Sequence, residues 1–103
     1  MKYKRQAIVS IVLSFVLLGV AKAYAVPLVT IDLKAHIFEP SLVTIAANSK
    51  VKLLIVNHDD SAEEFDSFDL NREKVIFANS KAVLFIGPLP PGVYHFFGEF
   101  HPD

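Results

Sequence analysis

From residue 28 onward, apolar and polar residues alternate in short blocks separated by turn-forming residues, with no window of helical periodicity. Leu28-Val29-Thr30-Ile31-Asp32-Leu33-Lys34 begins apolar and settles into strict alternation, the pattern of a half-buried strand. A second strand is predicted over 42–45, after Pro40, and Ala47-Asn48-Ser49-Lys50 supplies a turn. Residues 51–57 are apolar and β-branched, which predicts a central strand. A polar loop over 58–63 leads to further strands over 64–68, 74–78, 81–87 and 93–97, the last entered through the stiff Pro88-Leu89-Pro90-Pro91-Gly92 turn. About seven short strands at these spacings predict an all-β chain folded as a β-sandwich.

The first 25 residues follow a different rule. Lys2, Lys4 and Arg5 precede an apolar run over 7–20, broken only by Ser10, Ser14 and Gly19, and Ala21-Lys22-Ala23-Tyr24-Ala25 closes it. A basic start, an apolar run and a small-x-small site form a secretory leader. Residues 1–25 are therefore expected to be a signal helix, cleaved after Ala25, and residues 26–103 a single periplasmic domain. The alternative is an uncleaved anchor holding the domain on the periplasmic side of a membrane, although the run is shorter than the roughly 20 residues of a spanning helix.

The whole chain carries ten basic and eleven acidic residues, a formal charge of −1. Loss of Lys2, Lys4, Arg5 and Lys22 with the leader leaves six bases against the same eleven acids, a charge of −5. Such a domain is no partner for nucleic acid, whose phosphates need basic residues; cations or basic proteins suit it better. There is no cysteine, so disulfides, thiolate metal sites and cysteine nucleophiles are excluded. Glycine-rich phosphate loops, nucleophile elbows and HExxH pairs are absent as well.

The strand Pro91-Gly92-x-Tyr94-x-Phe96, Phe38-x-Pro40, the strand ending in Asn57 and the Glu63-Glu64-Phe65 segment resemble the cupredoxin-like family over most of residues 28–103. Glu63-Glu64-Phe65-Asp66-Ser67, Leu70-Asn71-Arg72-Glu73-Lys74-Val75 and Phe97-Gly98-Glu99-Phe100-His101 are similar to the periplasmic cupredoxin-like proteins associated with bacterial high-affinity iron permeases. The resemblance implies a two-sheet Greek-key sandwich with its metal end at the loops. It also implies a role in ferrous iron uptake, with help in iron oxidation as the one activity left open. A dedicated enzyme is not expected, because no nucleophile and base pair is visible.

The departures from that pattern are chemical. Blue copper members carry a thiolate where Gly98 stands and a histidine where Glu63 stands; His101 keeps the second histidine position, and the sole methionine is Met1. A type 1 copper site, which needs two histidines and a thiolate, is therefore not expected. The sequence also stops at Pro102-Asp103, so the closing C-terminal strand is expected to be missing and a sheet edge exposed.

Seven acids fall between 59 and 73: Asp59, Asp60, Glu63, Glu64, Asp66, Asp69 and Glu73. In the topology that the resemblance implies, the 58–66 loop lies at the same end as residues 98–103. The expected metal ligands are Glu63, Glu99 and His101, with His58, Glu64 and Asp66 as auxiliaries. Only one of Glu63 and Glu64 can face the site from a strand, and the family position favours Glu63. Carboxylates with one imidazole suit Cu(II) or Fe(II)/Fe(III) rather than Cu(I). His36 is read as structural, and His95 as facing away from the core with Phe97 and Glu99. Phe65, Phe68, Phe77, Phe85, Tyr94, Phe96 and Phe100 are expected in core and rim. The function expected is metal binding as an accessory of iron uptake. The alternative is a metal-free interaction module whose acidic face docks a permease or another periplasmic protein. A homodimer is a further possibility, its second copy supplying a missing ligand or edge strand.

Overall fold

The computed structural model describes residues 7–12 and 25–102. Among them are nine strands and no helix: β1 (Ala7–Val12), β2 (Leu28–Lys34), β3 (Ile37–Glu39), β4 (Leu42–Ala46), β5 (Val51–Asn57), β6 (Glu63–Ser67), β7 (Arg72–Ile76), β8 (Lys81–Ile86) and β9 (Gly92–Gly98). Two sheets result, one in the order β4-β1-β9-β6-β7 and the other β3-β2-β5-β8. The β-sandwich expected from the alternation is what forms.

Period-two patterning decides what each strand buries. In β5, Val51, Leu53, Ile55 and Asn57 point inward, and β2 contributes Ile31 and Leu33 beside them. The other sheet answers with Val9, Ile11, Val43, Ile45, Phe65, Ile76 and Phe96, all buried. Phe65 and Phe96 stack at 4.9 Å, and Phe38 meets both edge-on, at 6.1 and 5.3 Å. Aromatic pairs in these geometries add about 0.5–1.5 kcal/mol beyond their buried area. Phe68 and Phe77 stand out in solvent, 79% and 70% exposed, so they belong to neither core nor covered rim.

β1 falls within the apolar run read as a leader. It lies parallel to β4, pairing Ile8 with Leu42 through Val12 with Ala46, and antiparallel to β9, pairing Ala7 with Phe96 through Ile11 with Gly92. β9, expected to lie near an open sheet edge, is thus covered on both sides, by β1 from the other end of the chain and by β6. Residues 1–6 and 13–24, which hold the rest of the leader pattern, lie outside the described residues. No helix among the described residues is long and apolar enough to cross a membrane.

Three connections meet at one end of the sandwich: the β2–β3 turn, the β5–β6 loop and the segment after β9. The first was not anticipated, because β3 is only three residues long and Ala35-His36 does not look like a turn. Yet Lys34 pairs with Ile37, leaving a two-residue hairpin loop with φ of 51° at Ala35 and 62° at His36. Two successive left-handed residues are what a type I′ hairpin needs, a geometry that favours Asn and Gly and is unfavourable for residues with an ordinary Cβ.

Candidate metal centre

The unfavourable turn is held by a side chain from another loop. Oδ1 of Asp59 accepts the Ala35 N–H at 2.8 Å, and Oδ2 accepts the His36 N–H at 2.9 Å. The His36 N–H bond is the main reason the Asp59 carboxyl lies below the ordinary aspartate range; partial burial opposes it and the Ala35 N–H adds to it. Asp59 is itself placed by buried Asn57, whose Oδ1 accepts the Asp59 N–H at 2.9 Å. The Asn57 amide donates to the carbonyls of Ser61, Ile76 and Phe77. The polar end of β5 therefore sets the 58–62 loop, and that loop aims His36. Strain of this kind collects at functional sites.

Glu63 enters from β6 on the core side and is 1% exposed. A buried carboxylate is costly unless it is well partnered. Its Oε1 accepts N–H groups of Glu64 at 2.9 Å and Phe100 at 2.8 Å, and its Oε2 lies 2.8 Å from Nδ1 of His101. Room for the carboxylate comes from Gly98: a Cβ built there would sit 2.8 Å from both Cδ and Oε2 of Glu63. A side chain at the position where the blue copper pattern has cysteine is thus crowded out by the Glu63 carboxylate.

His101 in turn stacks on His36, with ring centroids 3.6 Å apart and planes 8° from parallel. One ligand atom each from His36, Glu63 and His101 lies within 4.8 Å of the other two. A small cavity of about 40 Å³ adjoins them, with Ala7, His36, Gly98 and His101 in its wall. Two imidazoles and a carboxylate without a thiolate suit Fe(II), Zn(II) or Cu(II), and the donors are near enough for one ion. An ion bound through ring nitrogens lies near the plane of each ring, so the parallel stack has to open for both histidines to bind one metal.

The structure distributes the expected ligands differently. Glu63 and His101 come together, and Glu63 rather than Glu64 faces inward. His36 joins them in the place given to Glu99. Glu99 is exposed and lies beside Glu64, to whose carbonyl its N–H donates at 2.9 Å. His58 is engaged elsewhere, with Nε2 2.8 Å from Oδ1 of Asp32. Glu64 and Asp66 point to the opposite face of β6. There, burial first, then the charges of Glu73, Asp66, Glu99 and Glu63, push the Glu64 carboxyl above its usual range. His36 was missed because its turn lacks the residues that announce a hairpin; the available clue was a histidine between two alternating blocks.

A second acid-to-backbone tie fastens β9 to the β6–β7 turn. Oδ2 of Asp69 accepts the His95 N–H at 2.8 Å and lies 2.9 Å from its Nδ1, and these two bonds, in that order, lower the Asp69 carboxyl from its usual 3.8. A carboxyl depressed by folding contributes stability above its unfolded pKa and loses it as pH falls through the lower folded value. Asp69→Asn is therefore expected to unfold at lower urea than wild type at pH 7, with the gap closing as the pH is taken below about 3.8. Urea melts at a series of pH values check this; a gap that persists unchanged in acid removes the charge-based account.

These features match known sequences. The chain is 43% identical over 75 residues to the Rickettsia prowazekii (strain Madrid E) protein called Uncharacterized protein RP394. That alignment takes in 73% of this chain and 60% of the relative, so the chain spans less than two thirds of that protein's length. The family model for the Cupredoxin-like domain matches residues 7–103, from β1 through the His101 segment. With its two-sheet sandwich and its loop end built around β9, the chain belongs to the cupredoxin-like domain family.

Proposed function

We propose that this protein binds one transition-metal ion through His36, Glu63 and His101 and acts as a non-blue metal handler. The observation that carries the reading is the convergence of two imidazoles with a fully buried carboxylate, one imidazole, His36, standing on a turn whose backbone is held in an unfavourable conformation by Asp59. The donor set supports Fe(II) or Cu(II) and gives Cu(I) no soft ligand. The chain's part is to collect and orient the ion: Asp59 fixes the His36 backbone, the Phe100 and Glu64 N–H groups fix the Glu63 carboxylate, and Gly98 leaves it room. Oxidation of the bound metal would need an electron acceptor from another molecule, so binding and presentation is the proposed activity. Supply of iron to a permease follows from the similarity of the 63–75 and 97–101 segments to permease-associated members of the family. A periplasmic site of action rests on the leader pattern of residues 1–25.

Calorimetric titration of the full chain with Cu(II), and with Fe(II) under anaerobic conditions, tests the reading. One tight site per chain is expected. His36→Ala and His101→Ala should each weaken it about a hundredfold or more, since partners one shell further out already carry 10–100-fold. Glu99→Gln and His58→Ala should leave affinity within about twofold, because neither residue is among the converging donors. Absence of heat and of any thermal stabilisation would overturn metal handling and turn attention to the acidic face as a docking surface.

A further inference from the structure

The outer face of the five-stranded sheet carries a second group of donors, separate from the His36–Glu63–His101 end. Alternation along β6 sends Glu64 and Asp66 to this face together. The antiparallel register then sets Glu73 of β7 directly opposite Asp66. One carboxylate oxygen from each of Glu64, Asp66 and Glu73 lies within 4.8 Å of the other two. Acids on a sheet surface are ordinary, but Asp66 is not on the surface: it is only 5% exposed.

Asp66 is also without a protein partner. No hydrogen bond or ion pair reaches its carboxylate among the described residues, where every ion pair joins a histidine to another acid. Asp66 and Glu73 border a cleft of about 360 Å³. Its oxygens keep only slight contact with water, since the residue is 5% exposed and no buried side-chain oxygen among the described residues lacks a partner, and two further carboxylates within 4.8 Å repel it there. A cation among the three removes that repulsion.

We infer that Glu64, Asp66 and Glu73 form a binding site for a hard divalent cation of the calcium class. The ligands are all oxygen, the preference of Ca²⁺ and its neighbours, with neither imidazole nor thiolate to draw a softer metal. The three oxygens lie within 4.8 Å of one another, close enough to share one ion, and the variable geometry that Ca²⁺ accepts suits ligands fixed on a sheet better than the strict octahedron of Mg²⁺. Carboxylates from two neighbouring strands hold the ion, so binding clasps β7 to β6. β7 is the terminal strand of its sheet, and Arg72, Glu73, Lys74 and Val75 are all exposed. The site thus fastens one edge strand of the five-stranded sheet.

The test is titration of the full chain with CaCl₂, followed by calorimetry, thermal unfolding and amide hydrogen exchange. Saturable binding is expected with Kd on the order of 10⁻⁴–10⁻³ M, as in other exposed carboxylate sites, together with a rise in Tm and slower exchange in β7. Asp66→Asn should weaken Ca²⁺ at least about tenfold while melting no lower than wild type without calcium, because the amide relieves repulsion among the acids. Glu73→Gln, at an exposed position safe for folding, should weaken Ca²⁺ similarly. His101→Ala should keep the calcium response. The inference is overturned if wild type shows no response by about 10 mM Ca²⁺, or if Asp66→Asn and Glu73→Gln both respond normally. Loss of the response in His101→Ala would overturn it too, by placing calcium at the other end of the sandwich.

Discussion

A chain that begins at Val26 is expected to be less stable than the full chain by about 3–6 kcal/mol, the combined burial of Val9 and Ile11. Both side chains are lost with β1, and they are 0% and 4% exposed in the intact sandwich. Typical domains have only about 5–15 kcal/mol in total. The loss is also structural, since β1 is hydrogen-bonded on both sides and its removal leaves β4 and β9 as facing unpaired edges. Open apolar edges recruit other strands, so the shortened chain should associate as its concentration rises. Urea unfolding followed by circular dichroism, with sedimentation of both forms, measures the effect. Equal midpoints for the two forms would mean that β1 carries no stability in solution. The same comparison bears on export: cleavage after Ala25 removes this strand, and the intact mass of protein recovered from the periplasm shows whether the chain keeps it. A form cut at Val26 has a strand-wide gap between β4 and β9, beside Val43, Ile45 and Phe96.

Restoring the missing cysteine is expected to damage the protein rather than to rebuild a blue centre. In Gly98→Cys the new Cβ falls 2.8 Å from Cδ and Oε2 of Glu63, which has no slack because its oxygens are held by two backbone N–H groups and His101. Overpacking of this kind costs about 1–3 kcal/mol, and a displaced Glu63 would add about 1–3 kcal/mol for each buried donor it leaves unpaired. Gly98→Cys should therefore melt well below wild type and develop no intense copper–thiolate absorption on adding Cu(II), since the Glu63 carboxylate crowds the new side chain. Combining it with Glu63→Ala should cost less than the two single losses added together, the mark of residues competing for one space. A stable, intensely coloured copper adduct of the single variant would refute this picture of the site.

Much of the architecture was legible because side-chain alternation is local. β2, β5, β8 and β9 show their buried and exposed faces in the order of their own residues, and Tyr94, Phe96 and Gly98 face inward as that order requires. The boundaries of β6 and β7 sit one to two residues earlier than the pattern suggested. There, the Ser67 hydroxyl accepts the Leu70 N–H at 3.0 Å and Asn71 adopts φ of 52°, closing the turn sooner than the apolar residues indicate.

By itself, the amino-acid sequence determined that this is a sandwich of short strands, the inward faces of β2, β5, β8 and β9, and that no thiolate chemistry is available. Those conclusions depend only on neighbouring residues and on which side chains exist. Only the tertiary structure decided which chemistry-bearing groups meet. An apolar segment with the pattern of a leader pairs with two distant strands. Asp59 reaches 23 residues back to hold His36 in a left-handed turn. One run of acids is divided between the two faces of β6, with Glu63 facing the histidines and Glu64 and Asp66 facing Glu73. Register and loop approach are set by contacts between distant residues, and no local pattern encodes which loops come together.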